Sequence, residues 1–208
     1  MKRDEIINHE LGHGIIAYIF HGDYYYFKGI KMDIDEKLNS DDSAYTISIP
    51  VENLNIKVDK DNHLAASVDG LLLLGGIAGL TIFANYQKPK ESSSTDYRSI
   101  FDFRGAQGDF DIINRGNRPY GWYLKNALKS NQNKIDVRHS RILNVLMNLF
   151  ACDDILHAVK KLRQELLTKK ELTFEDFDRS FEPFFITQTK NKLIEFVKTG
   201  LGKPILVD

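Results

Sequence analysis

Residues 9 to 13 read His9-Glu10-Leu11-Gly12-His13. On a helix, positions four apart lie on one face, one turn above the other. Two imidazoles so placed can both reach a single zinc ion at about 2.0–2.1 Å. Glu10 falls one step round the helix, beside the metal, where it can take a proton from a water attacking a peptide carbonyl. Shuffling this composition would produce the pattern only about 0.007 times per chain. The expected chemistry is metal-assisted hydrolysis, with His9 and His13 as ligands and Glu10 as the catalytic base. A catalytic zinc of this kind needs a third protein ligand and one position left open for water. The remaining histidines, His21, His63, His139 and His157, fall in no recognisable ligand motif. They read as surface or packing residues.

The site must be carried by the elements around it. Asp4 is a fair N-cap for a helix to about His21, with Ile7, Leu11, Ile15 and Tyr18 as its core stripe. Gly12 and Gly14 each cost that helix about 1 kcal/mol relative to alanine. Close approach by another backbone, by substrate or by a tightly packed helix is the expected reason. Two strand-like runs follow, Tyr24–Ile34 and Ala44–Val51, the second alternating Tyr45, Ile47 and Ile49 with Thr46 and Ser48. Their polar connection, 35–43, predicts a hairpin or small sheet beside the histidine helix, whose edge could take an extended peptide by strand addition. A buried, small-residue-rich helix is expected over His63–Asn85, then an exposed loop over 88–96. Gly105–Asp109 reads as a turn entering a helix. Pro119 suits the first turn of the next, through Leu128. Val137–Leu167 is helical with an interruption near Cys152 and Asp153 as a new N-cap. Thr173–Asp176 resembles a capping box opening a short helix to Phe181. The last helix runs from about Thr187 to Lys198 and ends at Gly200. The fold class is α+β, mainly α, in one domain over 1–208.

Bulk properties narrow the functional classes. Of 208 residues, 42% are hydrophobic and 27% charged, the balance of a soluble globular chain, and the formal net charge is -1. No global basic field argues for nucleic acid. Lys160, Lys161, Arg163, Lys169 and Lys170 are interleaved with acids at helical spacing, as a solvated face would be. The single Cys152 leaves no intramolecular disulfide. No signal peptide is expected, and the apolar run Leu71–Ala84, about 14 residues, is short of the roughly 20 a span needs. A cytoplasmic protein without a membrane anchor follows as the expectation.

The segment from His9 to Phe20 resembles the zinc helix of the FtsH-type ATP-dependent zinc proteases, which typically reads His-Glu-Ala-Gly-His-Ala. Leu74-Gly75-Gly76-Ile77-Ala78-Gly79 is similar to that family's Leu-Gly-Gly-Arg-Ala-Ala-Glu segment. Gly105-Ala106-Gln107-Gly108-Asp109 is similar to its Gly-Ala-x-x-Asp segment. Leu166–Thr173 echoes its Leu-Leu-Glu-Lys-Glu-Thr-Leu stretch. All four occur in the family's order, and the likeness spans roughly residues 5 to 182. It implies a helical zinc-peptidase domain in which Asp109 supplies the third zinc ligand, with Asp111 and Asp102 as fallbacks. From the residues alone, Asp109 reads more readily as a first-turn acid favoured by the helix dipole than as a ligand. The chain departs from the family in having no phosphate-cradling Gly-rich loop, Ile77 in place of the arginine, and Gly79-Leu80 where acidic residues would stand. Residues 183–208 have no counterpart and read as a C-terminal extension.

The expected function is a Zn²⁺-dependent metallopeptidase acting on short or unfolded polypeptides. An ATPase acting in trans and a homo-oligomer are the partners the resemblance brings with it. The rival is an inactive peptidase-like protein that binds unfolded segments or a partner protease. Nucleic-acid binding through Arg98, Arg104, Arg115 and Arg118 ranks behind both; pairing of these arginines with nearby acids or with a substrate carboxylate is the expected arrangement.

Overall fold

Helix α1 (Arg3–Ile19) is buried on nearly every side, which is unusual for a helix only 17 residues long. The computed structural model describes residues 3–33, 43–50, 63–84 and 107–201. The expected loop over 88–96, Asp102, Arg98 and Arg104 lie outside them. Ile7, Leu11, Ile15 and Tyr18 are buried as their spacing implies, but so are Ile6, Ile16 and Ile19. The helix therefore threads the middle of the core rather than lying on it. Asp4 is not its N-cap. It lies inside the first turn, where the helix dipole also favours an acid, and its carboxylate pairs with Arg163 at 2.9 Å.

The two costly glycines explain how a central helix is approached closely. Positions two apart point to roughly opposite sides of a helix. A side chain at Gly12 would overlap the carbonyl oxygen of Gly75 on α2 (His63–Phe83), so two backbones touch there. A side chain at Gly14 would come within 2.8 Å of Ile30 Cδ1 and 3.0 Å of Phe177 Cζ, on the sheet side. Tight packing by neighbouring elements is the reason both are glycine.

Among the described residues the sheet has three antiparallel strands in the order β2-β1-β3: β1 (Tyr25–Asp33), β2 (Ser43–Pro50) and the short β3 (Glu171–Thr173). Opposite pairs include Tyr26 with Ile49, Lys31 with Tyr45 and Ile30 with Leu172. A register shift falls between Phe27 and Gly29. β1 turns Tyr25, Phe27, Ile30 and Met32 into the core. The alternation read in β2 shows in burial only toward its ends, where it is inverted, since Ile47 is half-buried like Thr46 and Ser48. Tyr45 and Ile49 are exposed, whereas Thr46 meets α1.

Helix α2 is 21 residues long, with 94% of its most apolar window buried inside the fold. Its apolar length exceeds the run read from sequence, and by length and composition it could cross a membrane. Here it is the core helix opposite the sheet. Helices α3 (Gln107–Arg115), α4 (Pro119–Asn126) and α5 (Gln132–Phe150) follow. α5 joins the core with Phe150 5.0 Å from Phe83. The expected interruption falls at Ala151–Cys152, where α5 and α6 (Asp153–Lys169) turn by 78°. Cys152, not Asp153, is the N-cap, and Asp153 opens the helix as a first-turn acid.

The capping box at Thr173 and Asp176 opens α7 (Phe174–Asp178), shorter than expected. The last helix, α8 (Pro183–Phe196), starts four residues earlier than read, with Pro183 in its first turn. It runs on into a π-helical turn over Val197–Leu201. Leu193 and Val197 belong to the same hydrophobic cluster as α1 and α2. The described part of the C-terminal segment thus packs one stripe, Leu193 and Val197, against the core.

Candidate metal centre

His9 and His13 are nearly fully buried, at 5% and 9% exposure, on the α1 face turned toward α2 and α3. Their Nε2 atoms lie 3.0 Å apart. Asp109, in the first turn of α3, brings Oδ2 to 3.1 Å from His9 Nε2 and 3.3 Å from His13 Nε2. Three potential donors thus form a small triangle. Bonds of 2.0–2.1 Å in tetrahedral geometry set ligand atoms about 3.3 Å apart, so these edges fit a small cation's coordination shell.

The hydrogen-bond chemistry points the same way. His13 Nδ1 lies 2.8 Å from the carbonyl oxygen of Leu72, which can only accept. Nδ1 therefore carries a proton, and in the neutral ring Nε2 presents a bare lone pair to the Asp109 carboxylate and the second imidazole. Facing lone pairs repel unless a cation lies among them. For a proton in that role, burial disfavours the charged ring, but the Asp109 carboxylate more than reverses this and raises His13 to about 9. Burial likewise pushes Asp109 up, and His13 and His9 outweigh it, holding the carboxyl well below the usual range. A divalent cation would serve the same electrostatic role with more charge. The donor set of two imidazoles and a carboxylate suits zinc. Two features support the fit. The Leu72 carbonyl orients the His13 ring, as outer partners of metal-binding histidines do. Gly76 leaves the imidazoles room, since a Cβ there would come within 2.4 Å of His13 Nε2 and 2.7 Å of His9 Cε1.

Glu10 is partly exposed beside the two rings, and His9, Glu10 and His13 can present ligand atoms within 4.8 Å of one another. Its Oε2 accepts a hydrogen bond of 2.8 Å from Thr46 Oγ1 on β2. The structure thus brings His9, Glu10, His13 and Asp109 together. Asp111, about 200° further round α3, is exposed and does not join them. His21 accepts from the Phe27 N–H and packs on Phe174, His63 meets the edge of Tyr123, and His139 is buried against Tyr120. His157 is exposed. Among the described residues none of the four reaches the triangle.

Sequence reading missed Thr46, the Leu72 carbonyl and the role of Gly76. It also missed Asp69, a carboxylate at 1% exposure in the apolar helix α2. Asp69 accepts from Tyr25 Oη, from the Tyr120 N–H at 3.0 Å and from the Arg118 guanidinium, tying β1, α2 and α4 together one turn before Leu72. A lone acid in an apolar helix was the available signal. Among the described residues, Arg118 of the four-arginine group thus pairs with an acid. Arg163 and Lys169 in the basic stretch also pair with acids, namely Asp4 and the pair Glu165 and Asp176. In comparisons with known proteins, no family model, no curated protein and no solved structure matches the chain.

Proposed function

We propose that the protein is a zinc metallopeptidase that hydrolyses peptide bonds in short or unfolded polypeptides. What supports the reading above all is the triangle of His9 Nε2, His13 Nε2 and Asp109 Oδ2, with a carboxylate beside it that is not needed as a ligand. A purely structural metal site has no use for such a base. Bound zinc would supply Lewis acidity, acidifying a water and polarising the scissile carbonyl. Glu10 takes the proton of the attacking water as its oxygen bonds to the carbonyl carbon. It then passes that proton to the amide nitrogen as the C–N bond breaks.

The strand beside the base supports the substrate class. Among the described residues, β2 is at an edge of the sheet, and its Thr46 touches Glu10. An extended peptide added to that edge would pass the base, and only a short or unfolded chain can extend in this way.

The test joins metal analysis to turnover. Purified protein should carry zinc, and Asp109→Ala should lose most of it. Glu10→Gln should keep the metal and lower cleavage of a labelled unfolded protein about 10²- to 10⁴-fold. If Glu10→Gln cleaves as well as wild type, the mechanism is wrong. Wild type that holds zinc but cleaves nothing would favour the inactive reading, a binder of unfolded segments or of a partner protease.

A further inference from the structure

Strand β2 offers two sets of side chains, and the polar one is turned toward α1. Tyr45 and Ile49 stay 45% exposed, while Thr46 takes an inward place that an apolar residue would fill with a gain in burial. The inner side shows what Thr46 does there. Its Oγ1 lies 2.8 Å from Glu10 Oε2 and 3.1 Å from the Glu10 carbonyl oxygen. Both partners accept and the hydroxyl has a single hydrogen, so it donates chiefly to the nearer, charged Oε2, with the carbonyl oxygen a secondary acceptor. Among the described residues, Thr46 is the one donor to this carboxylate. A glutamate has three rotatable side-chain bonds, and a base that swings freely is out of place for much of the time.

We infer that Thr46 is the positioning residue of the site. Its hydroxyl holds the Glu10 carboxylate toward the space beside the two imidazoles, and it does so from the strand along which a peptide would add. The inference rests on the peptidase reading. It makes alignment of the base depend on the placement of β2, so that one element orients both the peptide and the group that activates its attacker. Thr46 touches none of the three triangle atoms and has no part in holding a metal.

Two substitutions separate the hydroxyl from the packing. Thr46→Val keeps the shape and removes the donor; Thr46→Ser keeps the donor and removes a methyl. Thr46→Val should lower kcat ten- to a hundredfold, with KM within about twofold and zinc content unchanged. Thr46→Ser should recover most of kcat. Equal kcat in Thr46→Val and wild type would overturn the inference, as would equal losses in the valine and serine variants. A second arm needs no turnover. In chelator-treated protein, a double-mutant cycle of Thr46→Val with Glu10→Ala, read by denaturant unfolding, should give a coupling of about fivefold in the folding equilibrium. No coupling would also overturn it. Wild type that binds zinc and cleaves nothing sinks the peptidase reading instead, and the coupling still decides whether Thr46 holds Glu10.

Discussion

The two ring nitrogens of His13 have separate tasks, and the separation sets a pH dependence. Nδ1 is committed to the Leu72 carbonyl, so Nε2 must choose between a proton and a metal. With Asp109 alongside, the proton is held up to about pH 9. This folded-state value lies above the ordinary 6.5, so in metal-free protein the His13–Asp109 pair stabilises the fold fully below about pH 6.5. That contribution is lost as pH rises through about 9. Metal binding has the opposite trend, because the metal must displace the proton. Apparent zinc affinity, measured by chelator competition, should rise up to about tenfold per pH unit and level off near pH 9.

His139 responds in the acid range. Its burial disfavours the charged ring and lowers it to about 4, with Asp136 opposing and Arg138 assisting. The unfolded chain therefore binds this proton more readily than the native one between about pH 6.5 and 4, and stability falls as pH falls through that window. The loss amounts to about 3 kcal/mol by pH 4. Unfolding midpoints across this range should be flatter in His139→Phe than in wild type.

At the scale of elements, α1 and α2 make the site jointly, and their glycines divide the work. Gly12 lets the two backbones touch, whereas Gly76 clears space for the imidazoles. The two alanine variants should separate these effects. Gly12→Ala forces a methyl onto a carbonyl oxygen and should cost about 3 kcal/mol of stability in metal-free protein, read by denaturant unfolding. Gly76→Ala should show its main effect in metal analysis, with zinc retention falling at least tenfold, because the added methyl occupies ground needed by both rings. Equal zinc retention in Gly76→Ala and wild type would show that the rings can settle elsewhere.

Element boundaries also show where local signals suffice. Thr173 and Asp176 cap α7 through contacts three residues apart, and the sequence displays that pair openly. Asp4 and Asp153 read as caps but lie inside the first turn, because an acid is favoured in both places. The two faces of β2 could be read from its alternation. Which face turns inward depends on how the hairpin docks on α1, and no local pattern carries that.

At the scale of the whole molecule, the outer face of the sheet is left with Tyr26, Tyr45 and Ile49 at 45–47% exposure, and Phe184 stands out further at 73% on α8. These side chains add little to the core. Replacing Tyr45 and Ile49 by threonine should change folding stability by no more than about 0.5 kcal/mol each while raising solubility, measured by denaturant unfolding and by the concentration at which the protein precipitates.

The amino-acid sequence alone determined what repeats over one or two helical turns. The His9–Glu10–His13 constellation, the mainly helical class and the buried character of α2 each depend on spacing along a continuous stretch. Asp109 was proposed through family likeness, since nothing local ties it to a helix a hundred residues earlier. Its arrival within 3.3 Å of both imidazoles was decided by the packing of α3 against the α1–α2 pair. The same holds for Thr46, Gly76 and the Leu72 carbonyl. Each acts on a residue far away in the chain, and such distances are set only when the core closes around them.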